Sequence, residues 1–446
     1  MKTMFEAEVA VIGGGPAGVS AAISAAREGV SVILVERYGF LGGMSTAALV
    51  SPLMTFHAGD EQIIKGVGQE IIDMLINQGG SFGHVPDPVG FVSTVTPVDA
   101  EAMKVVCEKI VLEAGVKIIY HSLVDGVEVQ EGRVIAAHLT GKSGKAVVTA
   151  KQFVDCTGDG DLIHLAGGEY EFGRNGDGLT QPGSLFLRMG GVDLPKVYAY
   201  MRENPDEFFH PLAEQAALPS YVGVCGFFGL ITEGRKNREL TIARDRVLFF
   251  GGLHPGEVLV NMTRIINCNP TTFHGLTAAE IQGRSQCQEL TRFLKKYIPG
   301  FSDAYIIQTG VQVGFRESRR IKGLYSLTKE DVIFGKDFSD GVARGAFPID
   351  IHSPVGASLF AEKIKKNRSY SIPYRCLVPI GLKGVHVAGR CISTTHEAHA
   401  STRVMATCFA TGQAAGTAAA MAVRENTEDV DIKELKKHLR NCGVVL

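Results

Sequence analysis

Apolar positions change period along the chain, and the changes mark its architecture. Residues 9–12 (VAVI) form a short β-branched run stopped by three glycines, which reads as a buried strand. Residues 16–27 follow with small side chains at helical spacing, and Gly29 closes that helix before the apolar run 31–36. Strand, helix and strand in close succession make the βαβ unit of a parallel sheet. Residues 99–114 predict a second helix, opened by Asp99 and closed by Gly115, which leads into a strand over 116–120. Runs at 123–130, 134–139 and 146–149, separated by turn residues, predict an antiparallel meander, and 153–156 a returning strand.

From about 170 to 369 the alternation fades into short strands, loops and one clear helix over 278–296, which reads as an α+β unit. Strands are then expected at 377–380 and 385–388, followed by a long Ala/Gly-rich helix over 401–424. The fold class is therefore α/β. A Rossmann-like domain, with a parallel sheet and an antiparallel β-meander crossover, is expected from the discontinuous segments 1–169 and 370–446. The α+β domain, residues 170–369, is inserted between them as a substrate or cap domain.

Composition sharpens this picture at one point. The chain has 446 residues, 45% hydrophobic and 21% charged, which excludes a disordered or coiled-coil protein. It holds 53 glycines, where average usage of about 7% would give about 31. Such an excess points to places where backbone must approach a ligand or another backbone. A net charge of −2 gives no footprint for nucleic acid or for an anionic membrane. No apolar run reaches the length of a membrane-spanning helix, and the N-terminus shows no leader pattern. Nine cysteines without a C-x-x-C pair fit reduced thiols, so a cytoplasmic location is expected. Oligomeric state is left open, with a homo-oligomer as one option.

The chemistry begins at Gly13-Gly14-Gly15-Pro16-Ala17-Gly18, a G-x-G-x-x-G set between a predicted strand and helix. Gly13 permits the tight turn, Gly15 lets backbone approach a pyrophosphate, and Gly18 allows close helix–strand packing. The helix start, with Pro16 and Ala17, offers free N–H groups to phosphate. Glu36 ends the second strand, where a carboxylate accepts hydrogen bonds from a ribose. Arg37 follows it, and Gly42-Gly43-Met44-Ser45-Thr46 supplies a second glycine pair beside the cofactor.

The spacing from Gly18 through Ala22, Ala25, Gly29, Val32 and Glu36 to Gly42-Gly43 resembles the extended fingerprint of the glutathione-reductase superfamily of flavoproteins. The run 153–161 (FVDCTGDGD), containing Thr157, Gly158 and Asp159, resembles its second cofactor motif, and 384–390 (GVHVAGR) its last strand. With 316–331 and 403–416, these segments resemble the FAD_oxidored family of bacterial and archaeal FAD-dependent oxidoreductases, related to the fumarate-reductase and succinate-dehydrogenase flavoproteins. That resemblance implies FAD as cofactor and an oxidoreductase that exchanges a hydride with a small organic substrate. Many superfamily members carry Gly-Asp after the last strand, whereas this chain has Gly389-Arg390. Ser45 corresponds to the position of the histidine that carries covalent flavin in succinate dehydrogenases, so noncovalent FAD is expected. The closing helix, with Ser401, Thr402, Arg403 and Val404 at its start, is expected to aim its N-terminus at the flavin.

Two clusters supply candidate catalytic groups. His396 and His399 precede that helix, and either is a candidate acid/base. The alternative for both is a hydrogen bond within the fold, and with no further ligand cluster no metal is assigned. Arg316 and Arg319 are candidates for capturing a substrate carboxylate. The alternative for them is an Arg/Glu network that ties the inserted domain to the FAD domain. Outside the hydride-transfer reading stand a non-catalytic flavin-binding redox sensor and a flavin-dependent RNA-modifying enzyme.

Overall fold

The computed structural model describes residues 3–210, 221–365 and 369–446. Its main sheet runs, from one edge, Lys117–Ile119, Val32–Val35, Thr3–Ile12 and Gly144–Asp155, all parallel. The last of these strands then serves two partners on its far side. Its beginning pairs antiparallel with Arg133–Gly141, and its end pairs parallel with Val385–Val387. Leu123–Gln130 completes the meander beyond Arg133–Gly141. The sequence pattern predicts two strands, 146–149 and 153–156, where the structure has one continuous strand. Polar Lys151 and Gln152 read as an interruption, but Thr3–Ile12 pairs straight across it, with Ala7 opposite Ala150 and Val9 opposite Gln152.

The opening helix Pro16–Arg27 and the closing helix Met405–Glu425 cross on this sheet with almost no side chain between them. A Cβ at Gly412 would lie 2.1 Å from the Ala17 carbonyl oxygen, and one at Gly416 would lie 2.1 Å from that of Ala21. Small residues at this spacing therefore let two backbones touch. The closing helix starts later than 401. Residues His396–Thr402 form a separate short helix capped by Thr395, and Val404, extended at ψ 147°, caps the long one. The run 377–380 is also not a strand: Tyr374–Cys376 is a 3-10 turn, and Pro379, which has no N–H to give a ladder, makes only an isolated bridge with Gly323.

The insert has its own five-stranded antiparallel sheet, ordered Gly223–Gly226, Val247–Gly251, Val258–Val260, Leu187–Gly190 and Tyr305–Thr309. The helix Phe273–Tyr297 packs against it through Cys287, Leu290, Phe293 and Leu294. It begins before the predicted 278 because the Thr272 hydroxyl caps the Gly275 N–H. Two large cores result. The boundary expected at residue 370 does not coincide with the division between them: Ile321, Leu327, Val332, Val342 and Ile349 all belong to the core of the main sheet.

Candidate functional site

Loops at the carboxyl ends of the parallel strands frame a long cleft, the place where open α/β sheets bind ligands. Gly13, Gly15, Pro16 and Ala17 form its floor, with Gly13 at φ +102°. A Cβ on Gly13 would strike the Cys156 carbonyl at 2.4 Å, whereas one on Gly15 would meet nothing nearer than Gly43 at 3.7 Å. The first glycine is thus demanded by the turn, and the second leaves backbone open toward the cleft. Gly18 does not line the cleft; its Cβ would fall 1.7 Å from the Gly13 carbonyl oxygen, so it serves the close packing that holds the turn.

Glu36 sits in the wall with its carboxylate already accepting from the Gly14 N–H (2.6 Å) and the Tyr38 N–H (2.9 Å). Burial pushes its pKa up, and those two backbone donors act against the shift. A carboxylate has about four acceptor sites, so capacity remains for ribose hydroxyls. Arg37, Gly43 and Met44 line the same wall. Gly42, Ser45 and Thr46 stand behind it: the Ser45 hydroxyl donates to the Gly42 carbonyl (2.7 Å) and that of Thr46 to the Leu41 carbonyl (2.8 Å).

Opposite, Thr157, Gly158 and Asp159 form a turn braced from beneath by Asp155, which is fully buried. Its carboxylate accepts from the Thr157 N–H and hydroxyl and from the Ile163 N–H. Gly389 and Arg390 close this side. The Arg390 guanidinium pairs with Asp159 at 2.5 Å, and its Nη1 is buried with no protein partner. Burial would raise the Asp159 carboxyl, but Arg390 and Arg37 outweigh it and hold the group ionised. Here the arginine that replaces the superfamily acid presents an unused donor at the cleft. Tyr38 and Gln312 hydrogen-bond across the cleft from the main sheet and the insert.

A second cavity opens off the end of this cleft. The two share Met44, Phe315, Arg390, Arg403 and Met405. Its walls are apolar on one side, through Met54, Phe186, Phe250 and Phe347, and charged on the other. Arg316 reaches into it, half-buried, donating only to the Pro182 carbonyl (2.7 Å) and the Ser184 hydroxyl (2.9 Å). Its pKa is driven well below the ordinary arginine value by burial and then by Arg403 and Arg244. Since a guanidinium does not give up its proton in proteins, this means a positive charge that Asp350, already engaged by Arg403 and His352, offsets only in part. Arg403 meets Asp350, whose backbone carbonyl and carboxylate lie 3.2 and 3.4 Å away. Val404 lines this second cavity as well.

The remaining candidates lie elsewhere. His396 is buried and its Nδ1 lies 2.8 Å from Glu317, which also pairs with Arg320. Arg319 donates to Asp161 at 2.9 Å and to the Asp159 carbonyl. Both lie behind the cleft wall, in a network that joins its segments. His399 is fully buried, with both ring nitrogens unpartnered, and burial together with Arg320 and Arg403 pushes its pKa well down. The Ser401 hydroxyl is used by Tyr370 and the Phe347 carbonyl, and that of Thr402 is buried without a partner. None of these five side chains lines either cavity.

Sequence reasoning passed over Asp350 and His352, which line the second cavity. The signal was present in the alternation Ile349-Asp350-Ile351-His352, which puts both polar residues on one face of a strand. The His352 Nε2 lies 3.3 Å from the Asp350 carboxylate. Burial and then Arg316 push the His352 pKa down to about 3, leaving the ring neutral at ordinary pH. For Asp350 burial acts upward, and His352, Arg403 and Arg316 more than reverse it.

A parallel sheet whose carboxyl ends carry a glycine turn opening a helix, a carboxylate at the end of the neighbouring strand and a long cleft has the layout of a dinucleotide-binding fold. The chain belongs to the FAD dependent oxidoreductase family, whose model matches residues 8–439. Its cofactor is FAD, and the cleft fits that group: open backbone at Gly15, acceptor capacity at Glu36 and an unpaired donor at Arg390. Thiamine thiazole synthase of Methanococcus aeolicus is 27% identical over 245 residues, 52% of this chain and 84% of that protein. Among solved structures, a geranylgeranyl bacteriochlorophyll reductase-like protein of Thermoplasma acidophilum matches with a TM-score of 0.50 at 14% identity, covering 99% of this chain and 87% of that one. L-proline dehydrogenase of P. horikoshii matches with a TM-score of 0.44 at 11% identity, covering all of both chains. Among the described residues no helix is long and apolar enough to cross a membrane.

Proposed function

We propose that this enzyme exchanges a hydride between noncovalent FAD and a small, carboxylate-bearing organic substrate seated in the second cavity. Bound FAD supplies hydride acceptance and donation. The protein holds it through the glycine turn, Glu36, Gly43 and the Thr157–Gly158 turn, with Arg390 toward the pyrophosphate. Arg316 and Arg403 anchor the substrate, and the aromatic wall excludes water from it. In this reading the cofactor domain comprises 1–169, the strands and turns between about 319 and 365 that share its core, and the C-terminal segment. The remainder of the insert is the substrate domain.

The observation that carries the reading is Arg316: a half-buried guanidinium in a cavity continuous with the cofactor cleft, hydrogen-bonded only to a carbonyl and a hydroxyl, while the carboxylate acting on it, Asp350, is already engaged by Arg403 and His352. A substrate carboxylate would supply the pairing that this charge lacks.

The test is turnover of a panel of hydroxy acids, enoates and amines by the yellow holoprotein, with an artificial electron acceptor, for wild type and Arg316→Ala. Acid precipitation should first leave the flavin in the supernatant. The variant should keep its flavin and lose about 100-fold or more in kcat/KM, the order expected when one partner of a buried charge pair is truncated. Equal turnover in both proteins, or none from any member of the panel, would count against the proposal.

A further inference from the structure

We infer that His352 is the proton-exchanging group of the substrate cavity, positioned by Asp350 and coupled to an organic anion that settles among the arginines around it. This rests on the anion-anchoring reading above and goes past it to a residue, a proton and a coupling.

The geometry has three parts. First, His352 is in the cavity wall and not behind it, on the strand Ile349–His352 whose polar face also carries Asp350. Second, its ring is anchored at one end only. Nε2 faces the Asp350 carboxylate at 3.3 Å, and Nδ1 has no protein hydrogen-bond partner among the described residues. Asp350 is itself held by Arg403, so the ring's position is fixed from the cofactor side of the cavity. Third, the surrounding charge is lopsided. Arg316 rises from the chain after Tyr305–Thr309, Arg403 from the junction before the closing helix, and Arg390 from the cleft wall. Arg244 and Arg264 stand just outside, bonded only to backbone carbonyls: Met262 and Asn261 for the first, Ser353 and Ser358 for the second. Against these five guanidiniums stand Asp350, Asp159 paired with Arg390, Asp245 near Arg244 and Arg264 but itself paired with Arg246, and Glu317 near Arg403 but itself paired with Arg320.

A positive field of this kind keeps the imidazole neutral, as the depressed pKa of His352 reflects. An anion bound at Arg316 and Arg403 cancels part of that field and adds a negative neighbour, both of which favour the imidazolium. Binding and protonation are then linked, each favouring the other by the same factor. Asp350 prevents the alternative in which the ring turns away when it gains charge. The protonated ring can give its proton to the bound substrate, and the neutral ring can take one from it, so one residue serves either direction of the reaction. The sign follows: between the low pKa of the anion-free protein and the raised pKa of the complex, affinity for the anion falls as pH rises.

Oxalate serves as the probe, titrated into the FAD-loaded protein by calorimetry in two buffers of different ionisation enthalpy from pH 5.5 to 8. Flavin absorbance and thermal melting verify that each variant is folded. Wild type should bind oxalate with uptake approaching about one proton at low pH, and its dissociation constant should weaken by up to about tenfold per pH unit. His352→Asn should still bind oxalate with no linked proton, and Asp350→Asn should bind with a shifted pH profile. Wild-type binding without proton uptake overturns the inference and leaves the anion site standing, as does unchanged uptake in His352→Asn. If wild type binds no oxalate, the anion site fails and the inference with it.

Discussion

Both cores of this molecule bury aromatic rings, Phe56, Phe153, Phe409 and Tyr370 among them around the main sheet, but their elements meet differently. Where the opening and closing helices cross on the main sheet, close packing is made by absence of side chain: Gly412 and Gly416 meet Ala17 and Ala21 backbone to backbone, and Gly18 meets the Gly13 carbonyl. In the insert it is made by bulk, with Phe227, Phe249, Phe293 and Phe301 fully buried, and Phe293 lying over Gly234. A core of touching backbones fixes distances closely and tolerates no added atom. A core of aromatic rings loses contacts when trimmed and can partly close up around the loss.

The sharpest way to break this comparison is to add two methyl groups. Gly412→Ala with Gly416→Ala forces the opening and closing helices apart at both crossings. Twice the upper range for single overpacking, about 4–6 kcal/mol, is expected, with loss of bound FAD from whatever protein remains soluble. A variant that melts within a few degrees of wild type and keeps its flavin would show that the crossing yields easily.

Removing bulk from the other core should act differently. Phe293→Ala is expected to cost about 3–5 kcal/mol, read as a lower melting temperature, while folded molecules retain a full complement of FAD. Flavin loss in step with the lost stability would mean that the two cores do not separate as described.

Acid distinguishes them more gently. His386, on the last parallel strand, is buried against the Tyr374 hydroxyl at 2.7 Å, and burial lowers its pKa to about 4. His84, packed on Phe56, is likewise lowered to about 4. The unfolded chain takes up those protons near pH 6.5 and the folded one does not. Stability is therefore complete above about pH 6.5 and is lost as pH falls toward 4, by about 3 kcal/mol for His386. The insert's histidines, His210, His254 and His274, are exposed. Hydrogen exchange at pH 7, 5 and 4 should show peptides of the main sheet opening before those of the helix Phe273–Tyr297. The reverse order would contradict it.

Legibility in the sequence followed the same division. The turns at Gly13 and Gly158 were readable because each encodes a local backbone requirement, a positive φ, that glycine meets best. Arg316 was readable as a charged residue, but its role could not be separated from that of Arg319 three residues later. One enters the second cavity and the other pairs with Asp161, because the backbone between them crosses from the cavity to the wall behind it. His396 drew attention through its position before the closing helix, yet that helix is two, broken at Arg403 and Val404. The break sends Arg403 into the cavity and leaves His396 on Glu317.

By itself the sequence determined the βαβ opening, the glycine turns and the family, because period and glycine spacing act over a few residues and survive without knowledge of the rest. Only the tertiary structure decided which charged groups share a cavity. Arg316, His352 and Arg403 are separated along the chain by 36 and 51 residues, and no local rule specifies their meeting. It is set by how the insert's sheet, the returning strand Ile349–His352 and the kink before the closing helix pack around one space. Their combined charge, which no one of them carries alone, is what gives that space its chemistry.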